Sequence, residues 1–169
     1  LIETYGFVHQ EIEFTFESDS ADDLYILQTR NQKLKKQKIL SRFVPAPDEM
    51  KLAGRGIGIG GGALAGILTF DMEDLKEAIR NHPEEKRILV RPDTVPDDIP
   101  LIFSCHGLIT GRGGATSHAA VTAASLGKVC VVSCKGLTVN EADKRCSING
   151  ISFKSGDGIS IDGNLGNVY

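Results

Sequence analysis

Tryptophan is absent from this chain of 169 residues, and aromatic side chains make up only 6% of it. Its core must therefore come from Ile, Val, Leu and Ala. Long apolar runs are missing as well. No stretch approaches the roughly 20 residues that a helix needs to cross a bilayer, and nothing at the start reads as a secretory leader. Charge of one sign is not in excess: 19 Lys and Arg stand against 22 Asp and Glu, a formal net charge of −3. That balance supplies no field to gather nucleic acid or an anionic membrane, so neither is expected as a partner. The chain opens at Leu1 in mid-pattern rather than at Met, and reads as an excised piece of something longer.

Cysteine is scarce and irregularly placed, at positions 105, 130, 134 and 146, which excludes a zinc ribbon. Cys130 and Cys134 lie in "CVVSC", which reads as a strand. Residues four apart would then share a face about 13 Å from one another, too far for a disulfide. Reduced, mostly buried thiols in a cytoplasmic protein are the plain expectation.

With 41% hydrophobic and 24% charged residues, the chain is of globular composition. "QEIEFTFES" and "LYILQTR", separated by "DSADD", predict an antiparallel hairpin with Glu11 and Glu13 on one face and Ile12, Phe14 and Phe16 on the other. A hairpin alone is marginal in water, so something else is expected to cover it. Residues 31–51 are basic and then carry Pro45 and Pro47, which reads as a short helix and an extended linker. Gly56, Gly58 and Gly61 match a dinucleotide-binding pattern in spacing only. They precede the strand-like "ALAGILTF" instead of following a strand and opening a helix. Close backbone approach explains them better.

Further along, residues 71–82 read as a helix capped by Asp71 and stopped by Pro83. "RILVR" reads as a buried strand, residues 92–107 as a short helical or irregular crossing, and "LIT" as a returning strand. Residues 116–126 form a second predicted helix, closed by Gly127. The strands "VCVVS", "RCSING", "ISFKSGD" and "GISIDG" follow, which makes a mixed α/β domain.

The stretch "TGRGGATSHAAVTAASLGK" concentrates the chemistry. Gly113 and Gly114 permit a tight strand-to-helix turn, and Thr116 or Ser117 can cap the helix. His118 then falls in the first turn, where unpaired N–H groups and the positive end of the macrodipole disfavour an imidazolium and welcome a dianion. Arg112, Thr116 and Ser117 can donate to the same oxygens. This suits a histidine that carries a phosphoryl group, although a plain helix-capping histidine remains open on the same residues. Ligands for a metal at His118 are missing. His106 reads as a turn histidine, with a supporting role as the alternative, and His9 and His82 have no context.

"GRGGATSHAAVTAASLGKVCVV" resembles the phosphohistidine motif of the phosphoenolpyruvate-utilising enzymes. "ILVRPDTVPDDI", "GLIT", "GLTVNEADK" and "GISIDGNLGNVY" look like the same family, nearest its pyruvate phosphate dikinase branch. The resemblance implies a three-layer β/β/α swivelling phosphohistidine domain over residues 52–169. It also implies a linker or hinge over 32–51, and the C-terminal end of an ATP-grasp domain over 1–31. His118 would be the catalytic carrier, with Arg112, Gly113, Gly114, Thr116 and Ser117 holding phosphate. Glu13, Gln28 and Arg30 would contact nucleotide, and Glu11 and Glu13 would hold Mg²⁺ with ATP. The family mechanism is ping-pong, through a pyrophosphoryl-histidine and then a phosphohistidine intermediate. Implied partners are the rest of the ATP-grasp domain, a domain for phosphoenolpyruvate or pyruvate, the substrates ATP and phosphate, and a second copy in a homo-oligomer. A related dikinase or phosphoenolpyruvate synthase with another acceptor, or a non-catalytic interaction module, are the rival readings.

Overall fold

The computed structural model describes residues 10–31, 41–43 and 50–169, and all side chains within them except those of Gln10, Glu11, Arg30, Asn31, His118 and Ala119. The chain divides into two compact units, Leu1–Ile39 and Leu40–Tyr169. The linker expected over 32–51, including Pro45 and Pro47, lies mostly outside the described residues, as does His9.

The first unit contains the expected hairpin. Strands β1 (Gln10–Phe16) and β2 (Leu24–Asn31) pair antiparallel around a 3-10 turn at Ala21–Asp23. Ser20 accepts the Asp22 N–H at 3.3 Å and so starts that turn. Glu13 pairs with Gln28 but Phe14 pairs with Ile26, so Leu27 is an extra residue and the ladder is bulged there. The Phe14 and Phe16 rings meet edge-on at 5.8 Å on one face.

The second unit is built on a run of parallel strands joined by helices. β5 (Ala63–Thr69), β6 (Arg87–Arg91), β7 (Gly107–Thr110) and β8 (Val129–Val132) pair in that order. The connecting helices are α1 (Met72–Asn81), α2 (Ile99–Ser104) and α3 (His118–Ser125). Alternation along each strand splits the side chains between two cores. Leu89, Leu108 and Cys130 face the helices and pack with Leu75, Leu101, Ile102 and Ala123. Leu68, Ile88, Val90, Ile109 and Val131 face the other way.

That second face is covered by a small antiparallel meander of β9 (Leu137–Asn140), β10 (Arg145–Ile148) and β11 (Ile151–Lys154). It contributes Leu137, Val139, Cys146, Ile148, Ile151 and Phe153 to the shared core. Asn149 and Gly150 both take positive φ, 49° and 83°, and so close the β10–β11 hairpin. The three layers, small sheet, large sheet and helices, are the β/β/α arrangement that the resemblance implies.

The large sheet is extended by β12 (Gly158–Asp162) and β13 (Asn167–Val168) on one side, and it curls back on itself. β3 (Gly54–Arg55) closes on β13, while β4 (Ile57–Ile59), reached through Gly56 alone, closes on β8 at the opposite edge. A Cβ on Gly56 would sit 2.4 Å from the Val132 carbonyl oxygen, and one on Gly58 would sit 2.5 Å from that of Gly163. These glycines therefore serve backbone contact, as expected, but Gly58 lies within the short strand β4 and Gly56 links it to β3.

Two further expectations need correcting. Cys130 and Cys134 do not share a strand face. β8 stops at Val132 and Ser133 takes φ 51°, so Cys130 enters the helix-side core and Cys134 the opposite one. The helix expected over 116–126 is shorter, because the Ser117 hydroxyl caps it and Leu126 already ends it.

Candidate active site

The segment 110–117 connects β7 to α3, and flanking elements tie it down one carbonyl at a time. Thr110, 1% exposed at the end of β7, donates its hydroxyl to the Arg112 carbonyl at 2.6 Å. The Thr110 carbonyl accepts the Cys134 N–H at 2.8 Å. Ser133 Oγ donates to the Gly113 carbonyl, and the Gly114 carbonyl accepts the Ser117 N–H at 3.0 Å. Beneath the loop, Gly111 N–H and Arg112 N–H donate to the Arg91 and Pro92 carbonyls at 3.2 and 2.9 Å.

The donors are treated differently. The N–H groups of Gly113, Gly114, Ala115 and Thr116 have no partner among the described residues. With the Arg112, Gly113 and Gly114 carbonyls engaged, the consecutive N–H groups make a concavity suited to an anion. Gly113 has φ 93°, which a side chain rarely adopts, and a Cβ there would meet Ser117 Oγ at 3.2 Å. The sequence "GG" is thus needed for its first glycine in particular; Gly114 has open space around it.

His118 is the first residue of α3, with Ser117 as N-cap; Ser117 Oγ accepts the Ala120 N–H at 3.3 Å. No acidic residue occupies the first turn of the helix itself, while Asp93 Oδ1 approaches the loop, 3.8 Å from where a Cβ on Gly113 would stand. Arg112, Gly114 and Thr116 are exposed, and Gly113 and Ser117 half-buried. Ala120 and Ala123 are fully buried, so the helix lies close on the sheet.

A network invisible in the sequence supports this loop. Arg91, at the end of β6, pairs with buried Asp98 at 2.8 Å and with Glu141 at 2.5 Å, and donates to the Phe70 carbonyl at 3.3 Å. Asp98 in turn accepts the Val95 N–H at 3.0 Å. The 91–98 crossing is held in this way, and it is the crossing whose carbonyls grip Gly111 and Arg112.

In the first unit, the strand register sets Glu11 opposite Arg30 and Glu13 opposite Gln28. The Ile12–Thr29 pair lies between these two rungs, and the ladder shifts register just beyond Glu13. Among the described residues no group of three or more His, Cys, Asp or Glu is placed to hold a metal.

His106 stands just before β7, at the end of the strand away from the loop. Its Nδ1 accepts the Arg87 N–H at 3.2 Å. Burial, and then the charges of Arg87, Lys86 and Lys128, lower its pKa to about 4. It is a neutral turn histidine. The four cysteines are free and buried. Burial pushes the thiols up, to about 12 at Cys130 and Cys146 and about 11 at Cys134.

Residues 83–166 match the family profile described as the mobile domain of PEP-utilising enzymes. Among curated proteins, the chain is 33% identical to the pyruvate, phosphate dikinase of Entamoeba histolytica, over 97% of this chain and 22% of that protein. It is 34% identical to that of Clostridium symbiosum, over 95% and 21%. Against pyruvate, phosphate dikinase 2 of Zea mays the figures are 37%, 73% and 14%. The chain thus spans about a fifth of the first two relatives' length. A solution structure of Enzyme I (nEIt) matches 51% of this chain and 31% of its own at 30% identity, with a TM-score of 0.36. With its histidine motif seated behind the loop of free N–H groups and inside the matched span, the chain belongs to the family of PEP-utilising enzymes.

Proposed function

We propose that this chain is the phosphoryl-carrier part of a pyruvate phosphate dikinase-like phosphotransferase, and that His118 holds the phosphoryl group. One observation carries the reading: the histidine follows directly on a loop whose Arg112, Gly113 and Gly114 carbonyls are engaged and whose N–H groups at Gly113, Gly114, Ala115 and Thr116 have no partner among the described residues. A helix N-terminus disfavours an imidazolium at its first residue, which favours a neutral, nucleophilic ring there. Once the ring carries a dianion, the same N–H groups, the Thr116 hydroxyl and the Arg112 guanidinium stabilise it.

In the intact enzyme the imidazole attacks the β-phosphorus of ATP, and the bond to AMP breaks. The terminal phosphoryl of the resulting pyrophosphoryl-histidine passes to inorganic phosphate and leaves as pyrophosphate. The remaining phosphoryl passes to pyruvate, giving phosphoenolpyruvate and free His118. Gln28, Arg30 and Glu13 belong to the nucleotide end. Glu11 and Glu13 are hard-oxygen donors in alternate positions of one strand. They fit Mg²⁺ if nucleotide phosphates and water complete its shell; the ion would neutralise charge on the phosphates. The remaining ATP-grasp residues and a pyruvate-binding domain are supplied by the rest of a longer cytoplasmic, homo-oligomeric enzyme. Residues 32–51 would be the hinge between the nucleotide end and the carrier domain.

The test is incubation of the chain with phosphoramidate, followed by intact mass and peptide mapping beside His118→Ala. One acid-labile, base-stable phosphate on His118, absent from the variant, is expected. A folded sample that takes no label at His118 overturns the reading.

A further inference from the structure

Ser133 is one of three described residues with a side chain held at positive φ, here 51°. Glycine adopts this conformation freely, and a residue with a Cβ adopts it at a cost. A strained serine next to a candidate site calls for a reason. Its neighbour Cys134 already bonds the Thr110 carbonyl, so the β8 exit is anchored without the serine side chain. What the side chain adds is a single contact, its hydroxyl donating to the carbonyl of Gly113.

That contact fixes a peptide plane. In a trans peptide the C=O and the following N–H point in opposite directions. Anchoring the Gly113 carbonyl on Ser133 therefore turns the Gly114 N–H away from Ser133 and leaves it free. Gly113 and Gly114 flank this peptide, and no Cβ hinders its rotation. A flipped peptide would put a carbonyl oxygen where the N–H had been, and a phosphoryl dianion would be repelled.

Resting on the carrier reading of His118, we propose that Ser133 is a positioning residue that locks the Gly113–Gly114 peptide with its N–H available to the phosphoryl oxygens. Thr110, bonded to the Arg112 carbonyl, holds the preceding peptide in the same manner.

The experiment compares the chain with Ser133→Gly and Ser133→Asn. Glycine relieves the φ cost but removes the hydroxyl, whereas asparagine tolerates the left-handed region and offers an amide donor. Thermal unfolding and the rate of His118 labelling by phosphoramidate are measured, together with the phosphorus resonance of the product. The expected result is that Ser133→Gly melts no lower than the parent yet labels about tenfold more slowly, as loss of roughly 1.4 kcal/mol would give, with a displaced phosphorus resonance. Ser133→Asn should recover most of the rate. Equal labelling of Ser133→Gly and parent, with the same resonance, overturns the proposal. If the parent takes no label at all, it is the carrier reading that has failed. Inorganic phosphate titrated against the amide spectrum then decides the role of Ser133: a Gly114 shift in the parent that is lost in Ser133→Gly supports it, and the same response in both overturns it.

Discussion

His106 and His118 bracket the same strand, β7, and their surroundings separate their chemistry. His106 is partly buried against Arg87 with Lys86 and Lys128 nearby, and burial first, then these charges, lower its pKa from 6.5 to about 4. A lowered histidine pKa means that the folded state resists protonation. The associated stability is complete above pH 6.5 and is withdrawn as pH falls toward 4. Proton NMR of the His106 ring should show a midpoint near 4, and a midpoint near 6.5 would contradict the packing described. The thiols make a parallel case. Cys105, Cys130, Cys134 and Cys146 are at most 5% exposed and their pKa values are raised, chiefly by burial. Because the thiolate is the reactive form, a thiol-specific reagent should label none of them in the native chain and all four after denaturation.

The element most demanding of its sequence is the pair of short strands that closes the large sheet. Gly58→Ala places a methyl 2.5 Å from the Gly163 carbonyl oxygen, where backbone must move. A loss of about 1–3 kcal/mol in urea unfolding is expected, whereas Gly114→Ala, in open space, should cost far less. Strands such as "RILVR" and the helix after Asp71 were legible because burial on both faces leaves continuous apolar runs and capping leaves a fixed residue pattern. β9 was not, since "LTVN" carries only two apolar residues and pairs solely through β10. The closure by β3 and β4 was hidden because it depends on residues more than 70 positions away. At the site, the glycines, His118 and its cap were readable from motif and helix chemistry. Ser133, Thr110 and the Arg91–Asp98–Glu141 network were not, because positive φ, side-chain-to-backbone bonds within a loop and contacts as distant as Arg91–Glu141 leave no periodic trace.

At the scale of the second unit, Lys144 helps fasten the small sheet to the helix layer. Lys144, in the β9–β10 turn, reaches Asp71, Glu73 and buried Asp74 at 3.3, 3.1 and 3.1 Å. Its hydrogen bonds to Asp74 and Glu73, which accept from the ammonium, push the lysine pKa above its usual range. Asp74 also accepts the Phe70 N–H at 3.1 Å, so removing the lysine strands a buried carboxylate. Lys144→Met should cost about 1–3 kcal/mol, less than for a fully buried pair because Lys144 is partly exposed. Double substitution with Asp74→Asn should recover part of the loss. Across the whole chain, His118 is expected to carry the phosphoryl group and His9, His82 and His106 are not. The most direct measurement is a proton–phosphorus correlation spectrum of the chain after reaction with phosphoramidate. A single phosphorus coupled to the ring of His118 is expected, with amide shifts concentrated at residues 113–117. Label spread over His9, His82 and His118 alike, or a phosphohistidine without those amide shifts, would contradict it.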